Sequence, residues 1–89
     1  MNHVKTAITK VRKTKAAWPN PDSFAAHLLE DIQHRLDTVR IRCSDEERRA
    51  LRDAADDINF AIVRETTQGQ ADVRSLIELR SDLVKMVLQ

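Results

Sequence analysis

The sequence predicts an all-α fold, a small bundle of three to four helices with a long helical hairpin as its core and a basic N-terminal helix. Apolar residues recur at spacings of three and four, which places them on one face of a helix. Two patterns, NPD at 20–22 and SDEE at 44–47, are typical of helix starts. The chain has 89 residues with one glycine and two prolines, so we expect a single helical domain, residues 1–89, with short connections.

The first predicted helix, residues 1–17, combines a thin apolar stripe with a basic surface. Val4, Ile8 and Val11 fall on one helix face, so they should face the bundle, and Trp18 should pack near the start of the second helix. The first twenty residues hold five cations and no acid, a charge of +5, against ten cations and fourteen acids in the remainder, a charge of −4. The five cations are Lys5, Lys10, Arg12, Lys13 and Lys15.

The second predicted helix covers residues 20–42. Asn20 is a favourable N-cap because its side-chain oxygen can accept a first-turn N–H, and Pro21 suits the first helical position. The segment TVRIRC at 38–43 alternates as a strand would, but no second strand candidate exists to pair with it, so we interpret it as a helix end. The apolar face of this helix comprises Phe24, Ala25, Leu28, Leu29, Ile32, Leu36 and Val39.

Two further helices are predicted at 44–67 and 72–88. The first of them begins with a capping box, in which Ser44 and Glu47 bond to each other's backbone N–H groups. Gly69 is suited to the left-handed residue that follows a helix, and Asp72 can cap the last helix. The apolar face of the third helix comprises Leu51, Ala54, Ala55, Ile58, Ala61 and Ile62.

Few patterns indicate catalysis or metal binding. His27, Glu30, Asp31 and His34 lie on one side of the second helix. The two histidines are two turns, about 10.5 Å, apart and cannot both bind one ion from a straight helix. The chain also has no glycine-rich phosphate loop. We therefore expect a non-enzymatic protein with no metal and no cofactor.

The cysteine content and hydropathy bear on the compartment. Cys43 is the only cysteine, which excludes an intramolecular disulfide and fits a reducing environment. No apolar run approaches the roughly 20 residues that span a bilayer. We expect a cytoplasmic protein of a bacterium or a phage that does not contact membranes.

The third helix carries apolar residues on a second face. Phe60 and Val63 lie largely opposite its main stripe, and Asp53, Asp56 and Asp57 flank them. Either both side chains belong to the core, or they anchor a partner within an acidic rim.

The last helix also has more apolar surface than one core face needs. Leu79 and Met86 form one ridge, and Ile77, Val84 and Leu88 form a neighbouring one. Such an excess in a small domain favours self-association, so we predict a homodimer with Leu79, Leu83 or Met86 at its interface. The leading functional hypothesis is a small helical interaction or regulatory protein that docks onto another protein, acting as a homodimer.

Two alternative functional hypotheses depend on basic side chains. The basic first helix could serve a nucleic-acid-binding accessory protein, with phosphate contacts from its five cations. The segment RRALRDAADDINFAI (48–62), followed by a second amphipathic helix, resembles the helical hairpin of phage proteins that sequester cyclic nucleotide signals, although the chain lacks tyrosine. That resemblance implies nucleotide binding, with Arg52 as a phosphate contact.

Overall fold

The computed structural model describes residues 3–39, 44–68 and 73–88. Within these ranges the chain forms four α-helices and no strand, which confirms the predicted all-α class. The helices are α1 (His3–Ala17), α2 (Phe24–Asp37), α3 (Ser44–Gln68) and α4 (Arg74–Leu88).

The helices form an up-and-down bundle. Each helix packs on the next one in the chain, and α1 closes the bundle by packing on α4. The α3–α4 pair has the most extensive contact, whereas α1 approaches α3 only across the bundle diagonal. The molecule measures 40 × 21 × 16 Å, and its long dimension matches the length of α3, about 37 Å for a straight helix of this size.

The core lies between the inward stripes of all four helices. Val4 and Val11 are buried and Ile8 packs against the core, which confirms that the stripe of α1 faces the bundle. Trp18 is also buried, and its backbone N–H donates to the Lys15 carbonyl at the end of α1. From α2 to α4 the buried apolar residues are Ala25, Ala26, Leu29, Ile32, Leu36, Leu51, Ala54, Ala55, Ile58, Ala61, Leu76, Leu79 and Leu83.

The start of α2 differs from the prediction. The helix begins at Phe24 instead of Pro21, and its N-cap is Ser23, whose Oγ accepts from the Ala26 N–H at 3.2 Å. Asn20 Oδ1 instead accepts from the Asp22 N–H at 3.0 Å. An asparagine side chain that bonds two residues ahead forms a turn of its own, so Asn20 shapes the connection and leaves the capping to Ser23.

The end of α2 is corrected as well, whereas α3 begins where the sequence predicts. The second helix ends at Asp37, not at 42, with Thr38 as its C-cap. The third begins at Ser44 itself, and Glu47 Oε1 is buried with no hydrogen-bond partner. The Glu47 half of the predicted capping box is therefore not formed through that oxygen. Cys43, Gly69 and Asp72 lie outside the described residues.

Candidate docking surfaces

The large exposed apolar side chains of the described ranges all lie on α3 and α4. Phe60 is 60% exposed and Val63 58%, so the core alternative for these two residues does not hold. On α4, Ile77 and Val84 are about 40% exposed and Leu88 is 81% exposed. This apolar surface is what the rest of the bundle leaves uncovered.

The structure corrects the predicted contribution of α4 to an interface. Leu79 and Leu83 are buried in the core, and Met86 is half-buried against it. The neighbouring ridge of Ile77, Val84 and Leu88 faces solvent instead. Both ridges are apolar, and packing against α1 and α3 covers the first of them.

An aromatic patch, comprising Phe24, Phe60, Val63 and Arg64, joins α2 to α3. The rings of Phe24 and Phe60 are 5.8 Å apart at an interplanar angle of 58°, a tilted geometry that aromatic pairs favour. The Arg64 guanidinium carbon lies 4.4 Å from the centre of the Phe24 ring, within the range of a cation–π contact. No described carboxylate pairs with Arg64.

Sequence reasoning missed two members of this patch. The i, i+4 spacing of Phe60 and Arg64 was a usable signal for Arg64. Phe24 lies on the apolar stripe of α2, and it is partly buried against the core as that stripe predicts. Its pairing with Phe60 depends on the register between α2 and α3, which no local pattern reports.

The acidic rim predicted around Phe60 is only partly present. Asp57 pairs with Arg35 of α2, whose Nε also lies 3.2 Å from Asp31 Oδ2. Asp53 lines a small cavity of about 130 Å³ beside the same Arg35. Asp56 lies on the other side of α3, toward α4. The aromatic patch is therefore bordered by the Arg35–Asp57 ion pair and not by three free acids.

A second surface, the α3–α4 groove, runs between the outer sides of these helices. Two adjoining cavities of about 400 and 210 Å³ share Ala55, Asp56 and Val84. Arg80 Nη1 donates to Asn59 Oδ1 at 2.7 Å across the groove. The remaining lining residues are Arg52, Ser81, Lys85, Val87 and Leu88.

The cations of α1 do not form a uniform basic face. Lys10 Nζ lies 3.3 Å from Asp82 Oδ2 of α4, and Lys15 Nζ lies 3.5 Å from Glu30 Oε2 of α2. Lys5, Arg12 and Lys13 are exposed, and Lys13 shares a shallow polar cavity with Glu78 and Asp82. Acids of both neighbouring helices thus flank the basic helix.

Of the two histidines of α2, His34 has a weak contact within the described part of the chain, from its Nε2 to Glu30 Oε1 at 4.0 Å. Among the residues that the structure describes, no group of three or more His, Cys, Asp or Glu side chains is placed to hold a metal ion. None of the described helices is long and apolar enough to cross a membrane.

Comparison with known proteins adds no relative to this picture. No protein-family model matches the chain, and no curated protein or solved structure is significantly similar to it.

Proposed function

We propose that this chain is a small, non-enzymatic helical docking protein that binds another protein through the aromatic patch. The observation that carries the proposal is the exposure of Phe60, which is 60% accessible although its ring packs against that of Phe24. Phenylalanine and arginine are among the residue types that are enriched in protein interfaces.

The patch also indicates the chemistry of its partner. Phe60 and Val63 offer apolar contact area, and the ring contact of Arg64 holds its guanidinium beside them. Because no described carboxylate neutralises Arg64, a partner segment that combines an apolar side chain with an acidic one fits both features. A carboxylate can bond two guanidinium N–H groups at once, which would fix the orientation of the segment.

Photo-crosslinking in cells that express the protein natively tests this proposal. A benzoylphenylalanine at Val63 should crosslink to a partner protein, and the same group at Thr9 on α1 should not. Phe60→Ser and Arg64→Glu should each abolish the crosslink, and both residues lie on the surface, so the bundle should stay folded. The proposal fails if no adduct forms at position 63, or if adducts there survive both substitutions.

The two alternative hypotheses, nucleic-acid binding and nucleotide sequestration, differ in how the described contacts bear on them. The pairing of Lys10 with Asp82 and of Lys15 with Glu30 opposes the use of α1 as a phosphate-binding surface, because the flanking carboxylates repel phosphates. Nucleotide sequestration rests on the resemblance of residues 48–62 and on Arg52, which lines one end of the α3–α4 groove. No contact within the groove singles out a nucleotide.

A further inference from the structure

We propose that a second copy of this chain binds in the α3–α4 groove, with α3 of each copy lying on α4 of the other. The twofold axis of this dimer runs parallel to the helices. This surface is separate from the aromatic patch, so the proposal does not depend on the docking function.

An apolar ridge on α4 borders the groove, and its Val84 and Leu88 line the cavities there. Ile77, Val84 and Leu88 follow one another at i, i+7 and i+11 and are all exposed. They extend over about 16 Å of α4. Ala55 of α3 lies beside Val84 at the floor of the groove. The small side chain on α3 leaves a depression next to the projecting ridge on α4. That depression can accommodate the ridge of a second copy.

The area available suits a dimer. A face made of two adjacent helices is about 20 Å wide and, over the length of α4, about 22 Å long. Its corrugated surface would bury on the order of 700 Å² per copy, near the roughly 800 Å² of standard interfaces. The chain exposes 5925 Å² for a mass of 10.2 kDa, about 600 Å² more than a typical monomer of that mass.

The charges of the groove favour a second copy over an unrelated partner. Its acid, Asp56, lies on α3, and its cations are Arg52 of α3 and Arg80 and Lys85 of α4. No described residue forms an ion pair with Asp56 or Lys85. A surface with an acid on one helix and cations on the other is complementary to itself when the helices exchange places.

The register of the helices then selects one arrangement. The Asn59–Arg80 hydrogen bond puts these residues at the same level of an antiparallel pair. Asp56 lies about 4.5 Å along α3 from that level, between the levels of Arg80 and Lys85 on α4. When α3 lies on α4 of the second copy, each Asp56 therefore faces cations of the other copy.

The other symmetric arrangement is unfavourable. If the twofold axis crossed the helices, α4 would lie antiparallel on α4 of the second copy. Matching Ile77 of one ridge with Leu88 of the other would then bring Arg80 opposite Lys85, since both pairs are centred on the same point of the helix. Like charges directly opposite one another destabilise an interface.

Exchanging the charges at positions 56 and 85 tests the proposal. Sedimentation equilibrium and light scattering measure the oligomeric state of each variant. The native chain should be dimeric at about 100 μM, and Asp56→Lys or Lys85→Asp should each weaken the dimer at least about tenfold. An equimolar mixture of the two variants should recover the dimer. In the mixed dimer the lysine introduced at position 56 of one chain faces the aspartate introduced at position 85 of the other, and the native Lys85 and Asp56 face each other. The double variant should also dimerise, and Phe60→Ser should leave dimerisation unchanged.

Three results would overturn it. The proposal is wrong if the native chain is monomeric at about 100 μM. Single variants that remain dimeric show that the copies meet elsewhere. Variants that become monomers but do not recover on mixing show that α3 does not lie on α4 of the second copy. Circular dichroism of each variant checks that the exposed substitutions leave the helices intact.

Discussion

Glu65 is a charged residue inside an apolar stripe. It follows Leu51, Ile58 and Ala61 along the inward face of α3 and is only 3% exposed. No described residue gives it a hydrogen bond or an ion pair. Position 65 is therefore an inward position of α3 that an aliphatic side chain would also fit.

Replacing this carboxylate should stabilise the protein. We expect Glu65→Leu to raise the free energy of unfolding by about 1 kcal/mol, because it adds apolar area to the buried inward face of α3. Urea denaturation at neutral pH measures the change. Thr66→Leu, on the exposed side of the same turn, is the matched control and should change stability by less than about 0.5 kcal/mol. A loss of stability in Glu65→Leu would contradict the expectation.

At the scale of the element, α1 is part of the core and not an appended arm. Val4, Ala7 and Val11 are all buried, whereas the neighbouring Arg12 and Lys13 are exposed. The helix has a thin apolar stripe, so its order depends on this packing more than on its intrinsic helix propensity. Its cations contribute little, because exposed ion pairs are commonly worth less than about 1 kcal/mol.

Two adjacent substitutions separate packing from charge in α1. Val11→Ala should lower the free energy of unfolding by about 2 kcal/mol, since it removes two buried methyl groups and leaves a cavity. Arg12→Gln should change it by less than about 0.5 kcal/mol. Guanidinium denaturation followed by circular dichroism compares them. Equal effects of the two substitutions would show that α1 does not contribute to the core through its stripe.

The elements also show what sequence reasoning can and cannot predict. The helical class and the inward stripe of α1 follow from periodicity, and the structure confirms both. The start of α2 cannot be predicted from periodicity, because Asn20 and Ser23 are both favourable caps. Which of the two caps the helix depends on the turn between them. Likewise α4 has two apolar ridges, and only packing decides that Leu79 lies inside and Val84 outside.

The candidate surfaces were harder to predict for the same reason. Phe60 and Val63 could be identified from their helix face alone. The pairing of Phe60 with Phe24, and the α3–α4 groove with its Asn59–Arg80 bond, each join residues about 20 or more positions apart. Such pairs depend on inter-helix register, which local spacing does not determine.

In the whole molecule, acidic side chains of neighbouring helices lie beside the cations of α1. This arrangement determines how the protein should behave toward polyanions. The basic helix lies between α2 and α4, whose Glu30 and Asp82 pair with two of its cations. We expect no measurable binding of a labelled 20-bp DNA duplex at about 150 mM salt, by fluorescence anisotropy. Binding that weakens with a slope of about −4 to −5 against the logarithm of salt concentration would show five phosphate contacts and contradict this expectation.

The up-and-down order of the helices has a consequence for how the chain folds. Each helix packs on its sequence neighbour, and only the α1–α4 contact joins the two ends of the chain. Topologies built from such local contacts fold in microseconds to milliseconds, because little loop entropy is lost before contacts form. The extensive α3–α4 pair can form early, while the smaller α1–α4 contact closes last. The same contact should be the first to open in the native state, so backbone amides of α1 would exchange with solvent sooner than those of α3.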